Sequence, residues 1–185
     1  MSNTLFVQVA AAVLAAGIIC GCAGPGQAWR ARLTAELPRM GHRNWIVVAD
    51  SAYPLQSAAG IETVATGEDQ IAVLEHILDQ VEQAPHVRPV ILLDAELDSV
   101  AEADAPGVTS YRTRLKELLG GKQARTLPHE EIIAKLDEGA KLFNVLLLKT
   151  DMTLPYTSVF IELDCGYWTA EKEARLREAL GTPSK

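Results

Sequence analysis

Hydrophobic and polar positions recur along this chain with two periods, and the switches between them mark out its elements. Trp29, Leu33 and Leu37 repeat every fourth residue and predict a helical face, which Pro38 and Gly41 bring to an end. The run WIVVA, residues 45–49, is too short and too rich in β-branched residues for a helix and predicts a buried strand. Residues 50–68 read as loop. Ile71, Leu74, Leu78 and Val81 predict a second amphipathic helix, with Asp69 at its positive end. PVILLDAE, residues 89–96, predicts another strand, followed by an acidic loop. Thr109 can cap a helix carrying Leu115, Leu118 and Leu119, stopped by Gly120-Gly121. LPHEEIIAKLDEG, residues 127–139, predicts a further helix, with Pro128 at its start, Glu130 and Glu131 in its first turn, and Gly139 at its exit. FNVLLLK (143–149) and TSVFIEL (157–163) predict strands, and Thr169 opens a last helix. The order α-β-α-β-α-α-β-β-α predicts one α/β domain over about residues 28–182, with a mixed or parallel sheet covered by helices.

Composition changes this picture mainly at the N-terminus. Of 185 residues, 22% are charged and 48% hydrophobic, an ordinary globular balance, and the net charge is −7. No Lys/Arg cluster is present, so no electrostatic footprint for nucleic acid exists. Residues 5–19 are apolar apart from Gln8, shorter than the roughly 20 residues a comfortable membrane span needs. That length suits a secretory signal. Ile19-Cys20-Gly21-Cys22 has the form of a bacterial lipobox, which predicts cleavage before Cys22 and lipid on its thiol. The expected division is signal over residues 1–22, linker over 23–27, then the domain, held at the bacterial cell envelope by a lipid anchor. The first 28 residues hold no Lys or Arg, unlike most signals, and export without lipid or a simple anchor are the alternatives. Of three cysteines, only Cys165 lies within the domain, so no internal disulfide is expected.

Familiar cofactor motifs are absent. LGGKQ lacks phosphate-loop spacing, no G-x-G-x-x-G follows a strand, and HEEII has Ile133 where a zinc-protease helix has its second histidine. The four histidines show no metal-ligand spacing, so neither metal nor cofactor is expected. What remains is a scattered set: His42, Asp50, His129 and Asn144. Asp50 follows a strand directly, where ligands bind in open α/β sheets. His129 sits in the first turn of its helix, where the dipole biases it towards the neutral imidazole that both donates and accepts hydrogen bonds. Each also has an ordinary reading, as a turn aspartate and a surface histidine. His42 and Asp50 pose a puzzle, since eight extended residues span about 26 Å. They share a site only if the backbone folds back or a neighbouring subunit closes the gap, which points to a homo-oligomer.

RMGHRNWIVVADSAYP, residues 39–54, resembles the signature of the D-ribose pyranase / L-fucose mutarotase family: Gly41-His42, an apolar strand, Asp50, then Pro54. The resemblance continues through GIETVATG, PVILLDAE, PHEEI and FNVLLLK, over about residues 30–150. It implies that His42 is the acid/base at the anomeric carbon, that Asp50 and His129 contact a monosaccharide, and that the assembly is a ring of subunits. It also implies a sugar-binding Tyr-x-Asn triplet, matched here to Leu142-Phe143-Asn144, which keeps the asparagine and lacks the tyrosine. Tyr53 and Tyr156 are available to replace that hydroxyl. Ring opening and reclosure need only a base and an acid, which a histidine near pKa 6.5 supplies without a cofactor. The expected function is therefore a sugar mutarotase or pyranase-like isomerase. The alternatives are a non-catalytic sugar-binding protein or a structural oligomer of the same fold.

Overall fold

The computed structural model describes residues 25–181. The predicted signal (1–22) and its lipidation site Cys22 lie outside the described residues. The elements run α1 (Pro25–Glu36), β1 (Trp45–Ala49), β2 (Ile61–Ala65), α2 (Gln70–Glu82), β3 (Val87–Asp94), α3 (Val108–Leu119), β4 (Ala124–Leu127), α4 (His129–Ala140), β5 (Val145–Lys149), β6 (Val159–Cys165) and α5 (Ala170–Ala179). Helix α1 begins inside the stretch read as linker, with Pro25 in the first turn, where a missing N–H costs nothing. Two strands go beyond the elements expected from the sequence: β2, inside the segment read as loop, and β4, just after Gly120-Gly121.

The strands form one mixed sheet in the order β2-β5-β1-β6-β3-β4. All run parallel except β6, which is antiparallel to β1 and β3. Side chains alternate across the sheet. Ile46, Val48, Ile91, Val159 and Ile161 therefore pack on one face beneath α1, α2 and α3. Trp45, Val47, Leu92, Leu147 and Phe160 pack on the other against Ile132 and Leu136 of α4. Gly139, expected at the helix exit, lies one residue inside α4 and serves packing instead. A Cβ there would sit 2.9 Å from Nε1 of Trp45.

This topology gives the sheet two chemically distinct edges. The carboxyl edge collects the ends of β1, β3, β4, β5 and β2 with the start of β6; the amino edge collects the opposite ends. A buried polar network stiffens the carboxyl edge. The Gln70 amide donates to Tyr111 Oη (3.1 Å) and to the Thr157 carbonyl, which also accepts from Tyr111 Oη (2.8 Å). The Thr150 hydroxyl donates to the Ala49 carbonyl (2.9 Å), tying β5 to β1. Burying polar groups is tolerable only when they are paired in this way. The network fixes the course of the nine-residue connection between β5 and β6.

Candidate functional site

Four strands adjacent in the sheet, β1, β6, β3 and β4, bring four groups to the carboxyl edge. Asp50 follows β1. Its Oδ1 accepts from the Ala52 N–H (2.8 Å), and its Oδ2 accepts from the Ser158 hydroxyl (2.9 Å), which in turn accepts from the Asp50 N–H (3.2 Å). Asp94 ends β3 and is only 2% exposed. His129 opens α4 directly after β4, with Nδ1 3.0 Å from Asp94 Oδ2 and the imidazole about one-third exposed (32%). Its backbone N–H donates to both oxygens of Glu96 (3.1 and 3.0 Å). Glu96 thus caps α4 from a distance and adds negative charge at its positive end. Tyr156 presents its ring edge-on to His129, with centroids 5.7 Å apart. Its φ of 57° is a left-handed conformation that a tyrosine rarely adopts. Such strain often gathers at ligand sites.

The electrostatics of this edge follow from burial. Burial pushes the Asp94 carboxyl up to about 6 despite the hydrogen bond from His129, and the charges of Glu96 and Asp50 raise it further. Burial, with the negative charge of Asp137, Asp94 and Asp50, pushes the Tyr53 hydroxyl up to about 12, so it remains a neutral donor. A cavity of about 450 Å³ opens beside this cluster, lined by Glu96, Val100, Pro128 and Tyr156.

The amino edge holds the rest of the sequence-derived set. His42 precedes β1 and its side chain is more than half exposed (56%). Its Nδ1 lies 3.4 Å from Asp164 Oδ1, at the end of β6. Partial burial pushes the Asp164 carboxyl up, but hydrogen bonds from Arg88 and the Cys165 N–H outweigh it and hold the group below its ordinary range. Arg43, next to His42, has a φ of 74°. A cavity of about 500 Å³ is lined by His42, Arg43, Trp45, Glu138, Phe143 and Glu162, among others. Asn144 precedes β5. Its backbone carbonyl accepts from the Trp45 N–H (3.0 Å), and it lines a separate cavity of about 210 Å³ with Arg32 and Glu62.

The structure therefore sets Asp50 and His129 at the same edge of the sheet and His42 and Asn144 at the opposite one. Five-residue β1 runs straight between His42 and Asp50 and spans about 17 Å. No fold-back joins them within one protomer. Leu142 and Asn144, read as the Tyr-x-Asn triplet, also lie away from Asp50 and His129. The tyrosine against His129 is Tyr156, and the polar residue two positions on, Ser158, holds Asp50. Asp94 carries a signal in the sequence too: VILLD repeats the pattern of IVVAD, an apolar strand ending in aspartate.

Comparison with known proteins sets this arrangement in context. The sequence pattern of the RbsD / FucU transport protein family matches residues 27–163. The structure of Bacillus subtilis RbsD complexed with D-ribose aligns with a TM-score of 0.53 at 18% identity, covering 75% of this chain and 94% of that one. FucU from Bifidobacterium longum aligns at 0.50 and 20% identity, covering 72% and 92%. A Streptococcus pneumoniae fucose mutarotase in complex with L-fucose aligns at 0.49 and 21%, covering 72% and 91%. At these identities the likeness to the B. subtilis RbsD and B. longum FucU structures establishes a shared α/β fold. No curated protein sequence matches this one significantly.

Proposed function

The protein belongs to the RbsD / FucU transport protein family, and on that premise we propose that it binds a monosaccharide at the carboxyl edge and interconverts its cyclic forms. The observation that carries this reading is the convergence of Asp50, Ser158, Tyr156 and His129 on adjacent strand ends. These are hydroxyl-complementary groups: a carboxylate that accepts, an imidazole that donates and accepts, and phenol and alcohol hydroxyls that do both. The B. subtilis RbsD structure holds D-ribose, a ligand of that chemistry. Tyr156-Thr157-Ser158 stands for the sugar-binding triplet, with serine in place of asparagine.

His42 enters the same proposal from a second subunit. In this reading the half-exposed imidazole at the amino edge meets the carboxyl edge of a neighbouring copy and completes the pocket with the second acid/base group. Rings are the natural outcome of such head-to-tail contacts. Two-dimensional exchange NMR on D-ribose and L-fucose tests the activity. The protein should accelerate exchange above buffer, and His42→Ala should lower the rate about 10²-fold or more. Mixing His42→Ala with Asp50→Ala subunits should restore about a quarter of the sites, because each intact site draws one residue from each variant. Exchange equal to buffer across the sugar panel, with sugar still bound, would leave a binding protein of this fold.

The envelope location is a separate part of the proposal and rests on the apolar stretch ahead of Cys22. Metabolic labelling with a radiolabelled fatty acid should mark the protein, and Cys22→Ser should abolish the label. An unlabelled wild type would remove the lipid anchor from the account.

A further inference from the structure

Asp94 has properties that sugar contacts alone do not use. Its side chain is fully buried, Oδ2 engages His129, and Oδ1 has no hydrogen-bond partner among the described residues. An acceptor-only carboxylate in that place is an expensive choice beneath a site where an apolar residue would pack. Its effect on His129 is specific. A carboxylate cannot donate, so the hydrogen between them must sit on Nδ1 of the imidazole. Nε2, on the opposite side of the partly exposed ring, then carries the lone pair. Without Asp94, the N-terminal position on α4 would leave an imidazolium poorly supported. With it, a protonated ring gains a buried counter-charge 3.0 Å away.

We propose that Asp94 is a positioning residue that holds His129 in the Nδ1–H tautomer, with Nε2 as the base that takes the proton of the sugar's anomeric hydroxyl. This deepens the sugar-interconverting reading and rests on it. In the step, the anomeric O–H bond breaks and its proton bonds to Nε2. The electron pair left on that oxygen becomes the second bond of the carbonyl in the ring-opened sugar. The bond from the anomeric carbon to the ring oxygen breaks, and its pair goes to the ring oxygen, which takes a proton from the His42 imidazolium of a neighbouring subunit. His129 is now an imidazolium facing the Asp94 carboxylate. Rotation about the first carbon–carbon bond, or attack by a different hydroxyl, precedes the reverse transfers, which return each histidine to its starting protonation state. The two histidines therefore work from opposite sides of the sugar, and each protomer supplies one to its own pocket and one to the next.

The experiment pairs nitrogen-15 NMR of the histidine rings at pH 7.5 with exchange kinetics on Asp94→Asn and His129→Gln. The wild-type His129 signals should show Nδ1–H. In Asp94→Asn the amide can donate to Nδ1, so the ring should turn over to Nε2–H, and kcat should fall about 10²-fold with KM nearly unchanged. A purely structural role would move KM or folding and leave the tautomer alone. His129→Gln should lose as much kcat as Asp94→Asn. An Nε2–H wild type, or an Asp94→Asn enzyme exchanging at the wild-type rate, overturns the proposal. Should Asp94→Asn fail to fold, the wild-type tautomer decides the matter alone. If the wild-type protein accelerates no exchange, the sugar-interconverting reading fails and the base role falls with it, while the tautomer still reports on the positioning.

Discussion

Asp94→Asn is expected to stabilise the protein at pH 8 by about 2–3 kcal/mol, with the gain vanishing towards pH 4. The Asp94 carboxyl has an ordinary value of 3.8 and is raised to about 6 in the folded protein, chiefly by burial. A group whose folded value lies above its unfolded value favours folding while protonated in both states. That contribution is fully present below pH 3.8 and is lost as pH rises through about 6. Above pH 6 the native fold therefore holds an ion that the unfolded polypeptide would solvate better. The gap between the two values corresponds to about 3 kcal/mol, a large part of the roughly 5–15 kcal/mol available to a domain. Asparagine keeps the shape and never ionises, so it removes the penalty. Urea unfolding of both proteins at pH 4 and pH 8 checks this. If Asp94→Asn were the less stable at pH 8, the ion pair with His129 would outweigh burial, reversing the order of effects inferred here. A variant that gains stability while losing exchange would place the cost of Asp94 at the site it serves.

How much of this was legible in the sequence depended on whether the deciding interaction was local. Strands β1 and β5 announce themselves, because a strand buried on both faces needs apolar residues at every position, and WIVVA and VLLLK supply them almost throughout. The helices follow the same logic at a period of 3.6, and the closing strand reads from Val159, Ile161 and Leu163. Strands β2 and β4 escape such a reading because they are sheet edges. IETVA and ARTL keep largely exposed or half-exposed side chains, and their strand character comes from backbone pairing to β5 and β3. No apolar period records such pairing. Glu62, within β2, reaches Arg32 of α1 instead of a core. Gly139 misleads in a similar way, since a glycine near a helix end has two readings and only the approach of Trp45 selects between them.

The site divides along the same line. Asp50 and His129 are visible from position alone, one at a strand end and one at a helix start, and the same rule applied to VILLD adds Asp94. Tyr156 stands in the sequence only as one of two candidate hydroxyls beside Tyr53, and Ser158 is not visible at all. They lie on the connection into β6, whose path is set by Gln70 and Tyr111 from α2 and α3, far away in sequence. The expected pairing of His42 with Asp50 meets the opposite obstacle. The strand between them is too well formed to bend, so one protomer displays the two residues at opposite edges. The requirement for a neighbouring subunit, raised by strand length alone, becomes the geometric core of the proposed assembly.

The largest loss of stability is expected from Phe160→Ala, at about 3–5 kcal/mol. Phe160 is 0% exposed and lies on β6, the antiparallel strand inserted between β1 and β3. Its partners across the two ladders are Val47 and Leu92. Its ring packs near that of Tyr53, at 6.3 Å between centroids, in the layer that α4 covers with Ile132 and Leu136. The opposite face has three helices to absorb a defect; this one has a single helix among the described residues and no second layer to collapse inward. The cavity should therefore stay largely open, which puts the cost towards the upper part of that range. Urea unfolding gives the value, with Leu142→Ala as the control: Leu142 is 80% exposed and should change stability by less than about 0.5 kcal/mol. A Phe160→Ala cost below about 1.5 kcal/mol would mean that α4 settles onto the sheet and that this layer is looser than its packing indicates. The same variant should weaken sugar binding in the folded fraction. Because α4 carries His129 at its first position, loosening its seat on β6 releases the imidazole that Asp94 and Tyr156 hold in register.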